Sequence, residues 1–249
     1  MTTGRLKDVK TNFATDTIKK ELSRTKGIID QFINSCSHNL KGPLTSIEGL
    51  VMIAEYCTNP GEVNQCLGLI QQCTLNMLEM IQKLEEYTIN LQRELNHDEI
   101  EADQLVERVL AEYASGIEKA QIAISIKVTQ SCKWIADKEV NYLILKNLVS
   151  NAIHFSNRET KAKKIQVKVG VQPDRVNVEV IDNGIGISEV EQKLIFEPFH
   201  RGSTQSKGNG LGLFLVKGLI EKLKASISVC SNEVRGTLFS VSMPNNAAL

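Results

Sequence analysis

Asn147, Asn151 and His154 stand at i, i+4 and i+7 in a run of helical periodicity, so their side chains share one face. An asparagine offers a neutral amide oxygen. Mg²⁺ takes oxygen ligands and keeps waters and phosphate oxygens in its shell, so a neutral ligand suits an ion beside a polyanion. Asp182 ends a strand of alternating apolar residues and is followed by Asn-Gly184-Ile-Gly186-Ile. A carboxylate there can accept a hydrogen bond from the amino group of adenine, and the glycines let backbone approach the ring. A third element, Gly208-Asn-Gly210-Leu211-Gly212-Leu213, opens a helix and can turn backbone N–H groups toward phosphates. It is not a dinucleotide fingerprint, because the third glycine comes one residue early and a polar loop precedes it.

Each element has an ordinary reading when taken alone: polar residues on the wet side of a helix, an Asn-Gly turn between strands, a glycine-rich loop. Their order removes much of that ambiguity. Between the second and third lies Phe196-Glu-Pro-Phe199-His200-Arg201, then a small, polar stretch that includes Lys207. Ser188-Glu-Val-Glu191 is a capping box that opens a short helix ahead of it. Far upstream stands Ser37-His38-Asn39-Leu40-Lys41-Gly42-Pro43-Leu44. His38 points away from the apolar seam of its helix. Pro43 cannot donate to the carbonyl of Asn39, so it disturbs the turn that carries the histidine.

The elements that must position these residues divide by hydrophobic period. From about residue 15 to 54 the apolar positions have helical spacing; Asn59-Pro60-Gly61 then makes a turn. Cys66, Ile70, Cys73, Met77, Ile81, Leu84, Thr88, Leu91 and Leu95 follow in steps of three and four, a narrow seam. Two such helices form a hairpin whose stripe is buried most simply in a dimer, as a four-helix bundle. From about residue 98 the pattern becomes mixed. Strands are expected over 122–128, 164–171, 175–181, 225–229 and 236–243, with helices over 140–155 and 210–223. The expected architecture is an all-α helical hairpin over residues 1–95, followed by an α+β sandwich over residues 98–249.

Composition narrows the partners. The 249 residues carry 29 basic and 29 acidic side chains, a balance that argues against a nucleic-acid binder. The start lacks the apolar core of a signal peptide, and the strongest apolar stretch, 211–220, is interrupted by Lys217 and too short to span a bilayer. None of the six cysteines forms a C-x-x-C pair, which suits reduced thiols in a cytoplasmic setting.

Five motifs in this order resemble those of two-component sensor histidine kinases, with the ATP-binding domain of the GHKL (Bergerat) type, over roughly the whole chain. The resemblance implies ATP and Mg²⁺ as cofactors, His38 as phosphoacceptor, and a response-regulator receiver domain and a second copy of the chain as partners. It makes Asn151 the Mg²⁺ ligand and Asn147 a polar contact on the phosphate side. His154 and Phe155 stand where the family often has lysine and tyrosine. Asp182 takes the adenine contact, with Gly186 beneath the base, Gly184 in the same nucleotide-binding loop and Thr237 behind. Arg201 and Lys207 belong to a lid over the phosphates, with Gly208, Gly210, Leu211, Gly212 and Leu213 at its far end. Two departures carry consequences. Asn39 replaces the usual acidic neighbour of the acceptor and cannot act as a general base. Gly42 replaces the threonine or asparagine that orients water for dephosphorylating the receiver. The alternatives are a pseudokinase scaffold that binds ATP, or another ATPase of the same superfamily.

Overall fold

The computed structural model describes residues 36–156, 162–200, 210–232 and 236–247. Arg201, Lys207 and Gly208, and the expected helix ahead of residue 36, lie outside the described residues. Helix α1 occupies 36–56 and runs through Pro43 without a break. After three intervening residues begins α2 (Pro60–Gln92). Its start is dictated locally. The Asn59 side-chain oxygen accepts the Gly61 N–H at 2.8 Å, the Asn59 carbonyl takes the N–H groups of Glu62 and Val63, and Pro60 at the first helical position has no N–H to leave unpaired. A connection this short is that of an αα-hairpin.

The remaining elements are β1 (Asp98–Ile100), α3 (Ala102–Glu112), α4 (Ala114–Ala120), β2 (Ile122–Gln130), β3 (Trp134–Ala136), α5 (Lys138–His154), β4 (Lys163–Val171), β5 (Arg175–Asp182), α6 (Glu189–Gln192), α7 (Gly212–Lys222), β6 (Ser226–Asn232) and β7 (Gly236–Pro244). Five strands form one sheet in the order β2-β4-β5-β7-β6, and β1 pairs with β3 separately. Only β2 and β4 run parallel; every other pairing is antiparallel. The alternation expected of a sheet with one covered face is plain in β4, where Ile165, Val167, Val169 and Val171 are buried and the residues between them are not. Val176, Val178 and Val180 of β5 and Phe239, Val241 and Met243 of β7 continue that face. Against it pack α5, through Leu143, Ile144 and Leu148, and α7, through Val216, Leu219 and Ile220. Full burial of each such side chain stabilises by about 1.5–3 kcal/mol. The result is the two-layer α+β sandwich expected. The small β1–β3 sheet and helices α3 and α4 were not individually foreseen.

By its contacts the chain divides into residues 1–77 and 78–249, inside α2 rather than after it. The reason is visible on the helix. Up to Met77 its more covered positions follow the expected seam: Cys66, Ile70, Cys73 and Met77. Beyond it they become Met80, Leu84, Tyr87 and Asn90, while Ile81 and Leu91 are exposed. Tyr87 packs on Phe214 of α7, with ring centroids 5.9 Å apart, and fills the space that a side chain at Gly218 would occupy. Lys222 of α7 donates to the carbonyls of Asn90 and Arg93. Arg93 grips Asp137 with two bonds of 2.5 and 2.7 Å, and Asp137 is also the N-cap of α5, accepting from Val140 at 2.9 Å. The last turns of α2 thus belong to the sandwich.

Candidate active site

Helix α5 brings the first group of candidates together. Asn147 donates through its amide nitrogen to the Leu143 carbonyl at 2.8 Å, which fixes its side-chain oxygen outward. That oxygen and the one on Asn151 face the start of α7. A Cβ placed on Gly212 would stand 3.0 Å from the Asn147 oxygen and 3.8 Å from the Asn151 oxygen. Gly212 is therefore the residue that lets two amide oxygens converge on a helix N-terminus. The N-cap position of α7 is Leu211, whose buried apolar side chain supplies no cap. The N–H groups of a helix start favour an anion there.

This donor set fits a Mg²⁺ ion bound through a nucleotide better than a metal held by protein alone. Among the described residues no three His, Cys, Asp or Glu side chains cluster as a metal cage. An asparagine oxygen plus phosphates and water is the shell Mg²⁺ accepts.

The second group is built on the end of β5. Asp182 is buried, only 7% exposed. Its Oδ1 accepts the N–H of Gly184 at 2.8 Å and of Thr237 at 3.3 Å. Those two bonds hold the carboxylate's orientation and leave Oδ2 for a ligand. Burial pushes its pKa up to about 6, against the two N–H donors, which lower it. Thr237 thus supports Asp182 through its backbone; its hydroxyl pairs instead with Ser231 at 2.9 Å. Ser231 ties three parts of the site, since its Oγ also accepts the Ile187 N–H and lies 2.8 Å from the Gly236 carbonyl. Nothing in the one-dimensional pattern singled out Ser231, because a serine on an alternating strand is ordinarily a solvated one.

The two groups are joined by backbone. Phe155 ends α5, and its carbonyl accepts the Ile185 N–H at 3.1 Å. A side chain at Gly184 would collide with that carbonyl, so this glycine is required by close approach. Gly186 has φ +70°, and Gly236 has φ +86° with Asp182 directly behind it. Asn183 adds a staple: its side chain accepts from Lys164 N–H at 2.7 Å and donates to the Ala162 carbonyl at 2.8 Å. His154 is exposed at the end of α5. Its Nδ1 lies 2.7 Å from the Ser150 carbonyl and 3.2 Å from the Ser150 hydroxyl, an arrangement that places the proton on Nδ1 and leaves Nε2 outward.

The third group begins where the described chain resumes. Gly210 has φ +66°, and a Cβ on it would stand 2.6 Å from backbone atoms of Phe199 and His200. Gly210 therefore lies directly against the backbone of Phe199 and His200. Phe199 itself has φ +61°, a left-handed conformation that is costly for an aromatic residue. The expected capping box is half present: the Ser188 hydroxyl accepts the Glu191 N–H at 3.3 Å. The Glu191 carboxylate pairs instead with Nε2 of His200 at 2.5 Å. Leu213 is half-buried beside Gly212.

His38 and Asn39 lie on α1, in the other unit; His38 is exposed and Asn39 half-buried.

Comparisons with known proteins agree with this geometry. The family model described as histidine kinase-, DNA gyrase B-, and HSP90-like ATPase matches residues 136–247. Sensor histidine kinase QseE of Escherichia coli O157:H7 is 26% identical over 239 residues, covering 92% of this chain and 49% of QseE. Sensor histidine kinase YclK of Bacillus subtilis (strain 168) is 30% identical over 241 residues, covering 92% of this chain and 49% of YclK. The chain thus spans about half the length of these relatives. The crystal structure of histidine kinase ThkA in complex with response regulator protein TrrA shares the fold at a TM-score of 0.71, with 22% identity, over 92% of this chain and 64% of that one. Residues 136–247 thus match that ATPase family, and along nine-tenths of its length the chain is similar to sensor histidine kinases.

Proposed function

We propose that this chain is the catalytic module of a two-component histidine kinase: it binds Mg·ATP, transfers the γ-phosphoryl group to His38, and passes it to an aspartate of a response-regulator receiver domain. The observation that carries the reading is the convergence of the Asn147 and Asn151 oxygens on the start of α7, in the same domain as a buried carboxylate held by Gly184 and Thr237. Asp182 accepts the adenine amino group, and Gly184 and Gly186 leave room for the ring. The first turn of α7 receives phosphate oxygens, and Asn147 and Asn151 face the same place. Asn151 would hold Mg²⁺, which would supply charge neutralisation on the phosphates. His38 is neutral when it reacts; the lone pair of a ring nitrogen attacks phosphorus in line as the bond to the ADP oxygen breaks. Little covalent chemistry falls to the protein, so positioning and charge neutralisation supply most of the acceleration.

Arg201 and Lys207 close over the phosphates in this reading. The partner copy of the chain packs on the helices. Supporting this, Leu44, Met52, Ile53, Leu67, Leu69 and Leu75 of the first unit are each at least half exposed. Among the described residues, that much exposed apolar surface on two helices is unusual for a monomer. No helix among the described residues is long and apolar enough to cross a membrane. The reading places the module in the cytoplasm, where ATP is.

The test is incubation with γ-labelled ATP. Label that is lost in acid and kept in alkali, and that disappears in His38→Gln while ATP still binds, is the expected result. Similar labelling of His38→Gln moves the acceptor elsewhere. Bound ATP with no label at all makes the chain a scaffold, the outcome that Asn39 beside the acceptor would favour. Light scattering on the intact chain tests the dimer.

A further inference from the structure

The last turns of α2 hold two helices at the ends that face away from the candidate phosphate site. Tyr87, Asn90 and Arg93 follow at i, i+3 and i+6 and share one face of α2. Asn90 is buried. Its amide donates to the Glu86 carbonyl at 2.8 Å, and its oxygen accepts Nε of Arg93 at 2.9 Å, which aims the guanidinium fork. The fork meets the Asp137 carboxylate, whose side chain is 0% exposed. Asp137 also accepts the N–H of Asn96 at 2.8 Å and of Val140 at 2.9 Å. One buried carboxylate thus fastens the chain leaving α2 to the first turn of α5. From α7, Lys222 donates to the carbonyls of Asn90 and Arg93, while Tyr87 lies against Gly218 and Phe214. The start of α5 and the end of α7 therefore share one anchor. At the opposite ends of the same two helices, the Asn147 and Asn151 oxygens face Gly212.

We propose that Arg93 and Lys222 are positioning residues of the ATP site: they set how α5 meets α7, so that nucleotide at one end of the helix pair and the last turn of α2 at the other are bound cooperatively. The inference rests on the reading of Asn147, Asn151 and the start of α7 as the phosphate site. Asp137 precedes Asn147 by ten residues and Asn151 by fourteen, about 15 and 21 Å along the helix, so the anchor does not touch nucleotide. It acts by leverage. A tilt of about 5° at the anchored end carries the two asparagines through about 1–2 Å, and an error of about 1 Å in a binding group is enough to be felt. Coupling of two binding events is reciprocal: whatever loosens α2 weakens nucleotide, and nucleotide tightens α2 by the same factor. Because α2 begins in the first unit and ends in the second, its last turn is where strain on that helix would reach the nucleotide.

The experiment uses the intact chain and Mg·ADP, titrated by calorimetry well below the unfolding temperature of each variant. Arg93→Gln removes the fork. Lys222→Met keeps the alkyl stem and removes only the ammonium. Each should lower ADP affinity about fivefold or more. Arg93→Lys keeps the charge beside Asp137 without the two parallel bonds and should recover part of the loss. The reciprocal effect needs no substitution. Saturating ADP should slow hydrogen exchange of the Asn96 and Val140 amides, both bonded to Asp137, several-fold more than that of the β2 amides bonded to β4 at one edge of the sheet. Unchanged ADP affinity in folded Arg93→Gln and Lys222→Met, or equal slowing of exchange at Asp137 and in β2, overturns the inference and leaves the kinase reading standing. An unsubstituted chain that binds no nucleotide overturns the kinase reading, and this inference with it.

Discussion

Replacing Asp182 by asparagine should strengthen the fold and weaken nucleotide binding, and both effects follow from one carboxylate. Its pKa lies near 6 in the folded chain, against an ordinary value of 3.8, because burial penalises the charged form. A carboxyl whose folded pKa is raised costs stability when ionised. The cost is absent below the unfolded pKa, grows as pH rises from 4 to 6, and is complete above it. Two pKa units correspond to about 3 kcal/mol. An asparagine keeps an oxygen for the Gly184 and Thr237 donors but introduces a buried NH₂ group, which returns roughly 1–2 kcal/mol of that gain. The net gain at pH 7.5 is about 1–2 kcal/mol, a rise in Tm of roughly 2–8 °C for a chain of this size. At pH 4 the wild-type carboxyl is protonated and the gain should vanish. Nucleotide affinity should move the other way. A hydrogen bond to a charged acceptor is worth about 1.5–3 kcal/mol, so ADP or ATP affinity should fall by one to two decades. Wild-type affinity should also weaken below pH 6, and that of Asp182→Asn should not follow it. Thermal unfolding at two pH values and titration calorimetry with ADP read all of this. A variant no more stable at pH 7.5 than at pH 4, relative to wild type, would refute the burial argument; unchanged ADP affinity would remove Asp182 from the adenine site.

Gly218→Ala should destabilise by about 1–3 kcal/mol, since its methyl overlaps the Tyr87 hydroxyl, and Tyr87→Phe should recover part of the loss in a double-mutant cycle measured by denaturant unfolding. Arg93→Ala strands the buried Asp137 carboxylate and should cost about 3 kcal/mol. Burial works against that carboxylate, but the Arg93 fork and the N–H groups of Val140 and Asn96 hold it below its ordinary range. Its contribution is therefore present above pH 4 and lost in acid, and the urea midpoints of parent and variant should converge there. Gly212→Ala should leave the fold intact while its methyl pushes the Asn147 oxygen aside, lowering Mg·ATP affinity about tenfold by calorimetry. A Cβ at Gly42 meets nothing within 4 Å, so a side chain fits there without strain. The wild-type chain should barely accelerate phosphate loss from a purified phospho-receiver, and Gly42→Thr should accelerate it.

The parts of the site visible in the sequence are those whose chemistry depends on residue type and short spacing. Asn147 and Asn151 are one helical turn apart, and the fold adds only what faces them. Gly184 and Gly212 stood out as glycines; the structure supplies the reason, a carbonyl of Phe155 and the oxygen of Asn147 where a side chain would be. What escaped was held by long-range pairing. Ser231 joins Ile187, Gly236 and Thr237 only because β6 and β7 pair. The support of Asp182 by Thr237 runs through a backbone N–H, which any residue but proline provides.

The boundary of the helices shows the same limit more sharply. Heptad-like spacing continues past Met77 to Leu95, so a reading by period extends the hairpin to that point. Period reports that a face is apolar, not which partner covers it. Tyr87 takes α7 as its partner, and Gly218 is small where the tyrosine arrives. Arg93 finds a carboxylate 44 positions away, and that carboxylate caps the helix bearing Asn147 and Asn151. A fragment beginning at residue 98 discards Tyr87, Asn90 and Arg93 and leaves Asp137 without its cation. One beginning at residue 78 keeps them. The second should therefore unfold at higher denaturant than the first while binding ATP. Equal stability of the two would show that the grip of α2 on α5 and α7 contributes nothing, and that the ATP domain begins after the helix rather than within it.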